Sequence, residues 1–142
     1  MSTDQNRQER LRPHPALRFA EPERKLDLAD CFEDLLDEPH DATEGHRQIT
    51  IARHGSQTLT LFHFTEGSRL PEHKVDGAVT IHVLDGELEV ETDEEVHRLG
   101  EGQLLMLAPG IEHDVRAQEE SRMLLTVHLM RQEERSSVSK PD

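Results

Sequence analysis

The chain has 142 residues, room for one domain of ordinary size but not for two separate cores. Hydrophobic residues make up 33% of it and aromatics 3%, with four Phe and no Trp or Tyr, so its core must be small and mainly aliphatic. Asp and Glu number 30 against 16 Lys and Arg, a formal charge of -14 that repels nucleic-acid backbones and anionic membrane surfaces, and no local basic stripe overrides it.

Residues 1–25 are polar and broken by Pro13, Pro15 and Pro22, which reads as a flexible arm ahead of the folded part. The first residues, MSTDQNRQERLRPHP, offer no apolar run for a signal peptide. The longest apolar runs elsewhere, such as LLMLA, fall far short of a membrane span. A soluble, cytoplasmic protein is expected. Its basic residues include only three Lys, Lys25, Lys74 and Lys140, and so acidic a surface suits a salt-rich cytoplasm. One cysteine, Cys31, excludes an internal disulfide; in LADCFEDLL it has no electropositive neighbourhood and reads as a small apolar residue on a helix face.

A domain over about residues 26–130 is expected to begin with a helix at about 27–37, where Leu28, Phe32, Leu35 and Leu36 fall at helical spacing, Asp27 caps the first turn and Pro39 stops the last. His40 to Arg47 read as a loop. From about residue 49 to 130 short strands alternate with turn signals. QITIARHG and QTLTLFHF meet at His54-Gly55-Ser56. AVTIHVLDG ends in Asp85-Gly86, and ELEVETDEEVHRL forms two strands around an acidic turn at Thr92 to Glu94. GQLLMLAPG, EHDVRA and RMLLTVHLM complete the set, and residues 131–142 form a polar tail. Roughly eight strands after one helix define an all-β sandwich or barrel, and the double-sheet jelly roll fits one domain of this length.

Two glycine–histidine stretches give the pattern more specificity. Gly67, His73 and Gly86, followed by Gly102, Gly110 and His113, keep the spacing of the two motifs of the cupin superfamily, which this chain resembles over about residues 49–130. The first motif of that family reads Gly, five residues, His-x-His, three or four residues, Glu, six residues, Gly. The second reads Gly, five residues, Pro-x-Gly, two residues, His, three residues, Asn. The resemblance implies a cupin-type jelly-roll barrel with one short N-terminal helix and, at its mouth, a metal held by three histidines and a glutamate.

This chain departs from the pattern where the metal would sit. The second histidine of the first motif falls on Val75 and the glutamate on Val79, while the second motif's proline and asparagine fall on Ala108 and Ala117. Only His73 and His113 remain of the four implied ligands. A catalytic metal needs at least three protein ligands, such as two histidines and a carboxylate. Alternation along a strand turns Glu72, Glu112 and Asp114 away from any face that His73 and His113 share, and turns His82 away from Val79, Ile81 and Val83. Asp76, His63 and His128 stay open as third ligands, as does water. His14, His40, His46, His54 and His97 read as solvated, with His46 and His54 the only ones near enough to a strand end to line an opening, and ETDEE lacks the alternation of a calcium loop.

Three readings of function stand. The first is a small-molecule binding barrel using His73 and His113 without a metal. The second is a metal-dependent cupin enzyme of the oxygenase or isomerase type, with one divalent transition metal on a reduced His73/His113 site. The third is a structural or protein-interaction barrel. The first leads, because deleting two ligands removes most of a metal site's affinity and leaves the pocket in place. No nucleophile with an adjacent base and no phosphate-binding glycine loop points to other chemistry. A homodimer is expected, paired through edge strands or exchanged N-terminal segments, with the helix at its interface.

Overall fold

The computed structural model describes residues 22–38, 45–73 and 75–129, apart from the side chains of Glu72 and His73. The polar arm up to residue 21, the tail from 130, His14 and His40 lie outside the described residues.

The helix α1 (Leu28–Leu36) forms where Asp27 supplies a cap: its Oδ1 accepts from the backbone N–H groups of Ala29 at 3.0 Å and Asp30 at 3.2 Å. Nine strands follow, β1 (His46–His54), β2 (Gln57–Phe64), β3 (Arg69–His73), β4 (Gly77–Asp85), β5 (Glu87–Thr92), β6 (Val96–Gly100), β7 (Leu104–Leu107), β8 (His113–Ala117) and β9 (Ser121–Leu129). They form a five-stranded sheet, β1-β2-β9-β4-β7, and a four-stranded sheet, β3-β8-β5-β6, with every pairing antiparallel. The two sheets close on one another as a jelly-roll barrel.

The barrel core joins Phe62, Phe64, Val79, Ile81, Val83, Met123 and Leu125 of the large sheet to Leu88, Val90, Leu99, Val115 and Ala117 of the small one. A second core lies on the outside of the large sheet. There Phe32 and Leu35 of α1 are buried against Ile49, Ile51 and Leu61. Each fully buried side chain of that size contributes about 1.5–3 kcal/mol, so the helix is held by its apolar face. Arg122 adds a cation–π contact, its guanidinium carbon 5.1 Å from the centre of the Phe32 ring. The helix therefore packs on its own sheet through its apolar side.

Two local readings need correction. β1 begins at His46, so His46 and Arg47 are strand residues rather than the end of a loop. β3 is a ninth strand that the turn signals did not show. It carries Pro71, tolerated because β3 is the edge of its sheet and pairs only with β8 among the described residues. Among the described residues no helix is long and apolar enough to cross a membrane.

Candidate functional site

Cross-strand register sorts the interior side chains into rows. At one end of the barrel the small sheet presents Thr92, His113 and the backbone of His73, consecutive partners across β5, β8 and β3. The large sheet presents the row Thr58, Val127, Val79 and Leu107 across β2, β9, β4 and β7. Val75 packs against the same core, and its carbonyl accepts from Gly110 N–H at 3.1 Å, tying the end of β3 to the Pro109-Gly110 turn. This end corresponds to the mouth in the cupin pattern, since it holds the positions of His73, Val75, Val79 and His113. It has one apolar wall and one wall bearing histidine.

His113 is 2% exposed, on the interior face with Val115 and Ala117. Its Nδ1 lies 3.0 Å from the carbonyl oxygen of Ile111. A carbonyl has only lone pairs to offer, so Nδ1 carries a proton and donates it to this bond. His73 stands opposite His113 in the β3–β8 ladder, past a register shift between Leu70 and His73; its side chain lies outside the described residues.

The other sequence candidates go elsewhere. Asp114 faces outward and accepts from Arg69 Nη2 at 3.1 Å, and Glu112 is exposed. Asp76 is exposed in the turn before β4. His82 lies on the outer side of the large sheet, between Leu124 and Leu104. His63 and His128, whose orientation the sequence left open, are also outside: each alternates with interior residues, Phe62 and Phe64 for one and Val127 for the other. His63 Nε2 lies 2.8 Å from Glu120 Oε2. It borders an outer cleft of about 480 Å³ whose other walls are Leu36, Asp85, Glu119, Glu120 and Arg122. Charges there answer one another, with Arg122 giving Asp85 two hydrogen bonds of 2.7 and 3.0 Å.

The metal of the cupin pattern does not fit the residues present. Val79, at the glutamate position, is 3% exposed in the barrel core, and Val75, at a histidine position, packs beside it. Neither offers a donor atom. Among the described residues no group of three or more His, Cys, Asp or Glu converges.

Sequence reasoning missed two interior histidines. His46 is 7% exposed at the opposite end of the barrel, its ring 5.9 Å from Phe62 and 5.7 Å from Phe64. His97 shares the interior row of Val90, Val115 and Leu70 and is half-buried at the sheet's margin, with Nδ1 3.4 Å from Glu95 Oε2. Both were read as solvated. Strand parity with Leu99 was the signal available for His97; His46 offered none.

Comparison with known proteins agrees with this architecture. The family model described as a cupin domain matches residues 60–129. A conserved protein of unknown function from Streptococcus pyogenes is 26% identical, with a TM-score of 0.62 over 78% of this chain and 91% of that one. A structure from Rhizobium leguminosarum superposes with a TM-score of 0.64 at 21% identity, covering 78% of this chain and 100% of that one. A cupin superfamily protein from Desulfitobacterium hafniense gives 0.61 at 21% identity, over 80% of this chain and 96% of that one. Against curated protein sequences the chain has no match. Two antiparallel sheets closed over one core define a jelly-roll barrel. Residues 60–129 of this chain carry a cupin domain.

Proposed function

We propose that the barrel binds a small, largely apolar organic molecule at its mouth, oriented by a hydrogen bond to the histidine wall. The observation that carries this reading is the pair Val75 and Val79, which put apolar side chains, packed in one cluster with Val127 and Leu107, at the positions of two metal ligands. An apolar pocket with one or two polar groups is the usual construction of a site for a small organic ligand. With Nδ1 of His113 donating to Ile111, a ligand hydroxyl or N–H would donate to Nε2 of the neutral ring.

The test is a thermal-shift and NMR screen of small hydroxylated and amine-bearing compounds on wild-type protein and on Val75→Trp, which fills the mouth from a half-buried position. A compound that stabilises the wild type and not the variant supports the reading. Compounds that bind both equally place the site elsewhere and defeat it. The metal-dependent reading keeps one observation in its favour: a histidine ligand commonly donates its other ring N–H to a backbone carbonyl, as His113 does. Metal content of protein purified without chelators, and titration with iron, manganese, zinc and nickel in wild type and His73→Ala, separates the two. Stoichiometric metal lost in that variant sinks the metal-free reading.

A further inference from the structure

Charge is placed unevenly around the mouth. Between Val75 and Val115 the sequence holds eleven Asp and Glu and only one Lys or Arg, Arg98. That arginine belongs to the outer face of the small sheet, where its guanidinium lies 3.8 Å from Glu87 Oε2 and 3.5 Å from Glu89 Oε2. Lys74, just ahead of this stretch, lies outside the described residues.

Register sets where the acids stand. Thr92 pairs with His113 across β5 and β8, and its N–H donates to the Glu95 carbonyl at 3.0 Å, closing a tight turn. Asp93 and Glu94 form the exposed tip of that turn, one and two residues past the His113 row. Glu112, also exposed, immediately precedes His113. At about 3.3 Å per residue, these three are within roughly 7 Å of the row along the backbone. Exposed Asp76 follows Val75 and precedes β4. The apolar wall is the opposite case. The strand positions just beyond its row, Gln57, His128, Ala78 and Ala108, hold no carboxylate, and Arg53 stands at the row's far end beside Thr58.

We propose that the mouth selects a small aliphatic amine in its ammonium form, its head at the histidine wall and its hydrocarbon against Val75, Val79, Val127 and Leu107. The proposal rests on the binding reading above and narrows it to one class of ligand. An ammonium group has only donors, the role that reading gives a ligand at His113. The acids on the same wall favour a cation there and repel a carboxylate, so charge and hydrogen bonding orient the ligand alike. At about 10 Å in water one unit charge changes a cation's affinity about twofold, so Asp76, Asp93, Glu94 and Glu112 together supply about tenfold. The preference must fade with salt, because the screening length falls from about 30 Å at 0.01 M to about 3 Å at 1 M.

Isopentylamine, isopentanol and isovalerate carry one hydrocarbon body and three head groups, and calorimetry on the full chain at about pH 8 compares them, the first charged positive and the last negative. The amine is expected to bind about tenfold more tightly than the alcohol at about 0.01 M salt, the carboxylate most weakly, with amine and alcohol converging near 1 M. Asp93→Asn with Glu94→Gln should weaken the amine about fourfold and leave the alcohol unchanged. Glu101→Gln, which removes an exposed charge in the turn at the other end of β6, should move neither. Circular dichroism checks folding, and Glu112→Gln replaces the double variant if that does not fold. Amine and alcohol of equal affinity, both lost in Val75→Trp, overturn the amine preference and leave the binding reading standing. Binding of either that survives Val75→Trp puts the site outside the mouth and defeats both. An amine preference unmoved by the rim variants, or an amine that does not bind, also overturns the proposal.

Discussion

Val75→His together with Val79→Glu puts back the two ligand types that the cupin pattern carries at these positions. Val79 is 3% exposed within the barrel core, so the glutamate replaces a buried aliphatic side chain with a carboxyl among apolar neighbours. The lost burial costs about 1.5–3 kcal/mol. An unpaired carboxyl, which sheds its charge by taking up a proton, adds about 1–3 kcal/mol. Together these remove a large share of the roughly 5–15 kcal/mol that holds a domain folded, so the metal-free double variant should melt well below the wild type. A divalent ion that binds only the folded form returns about 2.7 kcal/mol at a concentration 100 times its dissociation constant. For a domain of this size that is a rise of roughly 10 °C. Thermal melts of both proteins with and without zinc, nickel and manganese read the effect directly. The variant should gain stability from at least one ion and the wild type little from any. Equal gains in the wild type would show that the valines do not abolish the site; a variant unmoved by every ion would show that the mouth lacks the geometry of the pattern.

The turn between β4 and β5 gives a sharper steric forecast. Gly86 has φ +90°, and a Cβ there would run into Ser121 Oγ and the Glu120 carbonyl, whereas at Gly110, φ +84°, it would meet nothing within 4 Å. Gly110→Ala should therefore cost about 1–2 kcal/mol from backbone strain alone in denaturant titration, and Gly86→Ala distinctly more; equal losses would contradict the packing. His63→Ala and His128→Ala should leave ligand and metal behaviour at the mouth as in the wild type, because both side chains lie outside the barrel; a loss of binding in either, measured by calorimetry, would place that histidine inside. Burial, and then the negative field of Asp34, pushes the Cys31 thiol above its ordinary range. Alkylation at pH 8 should thus run slower than for a free thiol, whose pKa is about 8.5, and accelerate only in more alkaline solution. The stability linked to this group is present below the unfolded thiol's pKa and fades as pH rises through the folded one; faster reaction than a free thiol at pH 8 would reverse the assignment.

The glycine and histidine spacings located the fold because turns with positive φ and a fixed loop length leave few other residues and registers. Gly86 is an example: its place is set by what Ser121 and Glu120 leave room for. β3 was not legible, since Arg69–His73 holds a proline and one leucine and gains its strand character only from pairing with β8. The direction of His63 was hidden for a different reason. In QTLTLFHF, Leu59 and Leu61 face outward against α1 while Phe62 and Phe64 face the barrel core, so both faces are apolar and the alternation that marks a half-buried strand is erased. His46 follows a stretch of polar residues, and its burial comes from lying opposite Phe64, a partner 18 positions along the chain. No local pattern carries that information.

The composition of the mouth also sets how affinity should divide between its two walls. One neutral imidazole supplies one hydrogen bond, a net of about 0.5–1.5 kcal/mol. A ligand that removes about 200 Å² of apolar surface from water gains roughly 5 kcal/mol at 25 cal/mol per Å². The row of Val79, Val127 and Leu107, with Val75 beside it, should therefore hold the ligand, and His113 should choose its orientation. For any compound found to bind at the mouth, His113→Ala is expected to weaken binding about tenfold or less, and Val75→Trp to abolish it. An analogue lacking the donor group should bind the wild type and His113→Ala alike, which isolates the hydrogen bond from any loosening of the fold. A loss of 1,000-fold or more in His113→Ala, measured by calorimetry on folded protein, is too large for one neutral hydrogen bond. It would mean that the imidazole ligates a metal ion or pairs with a charge.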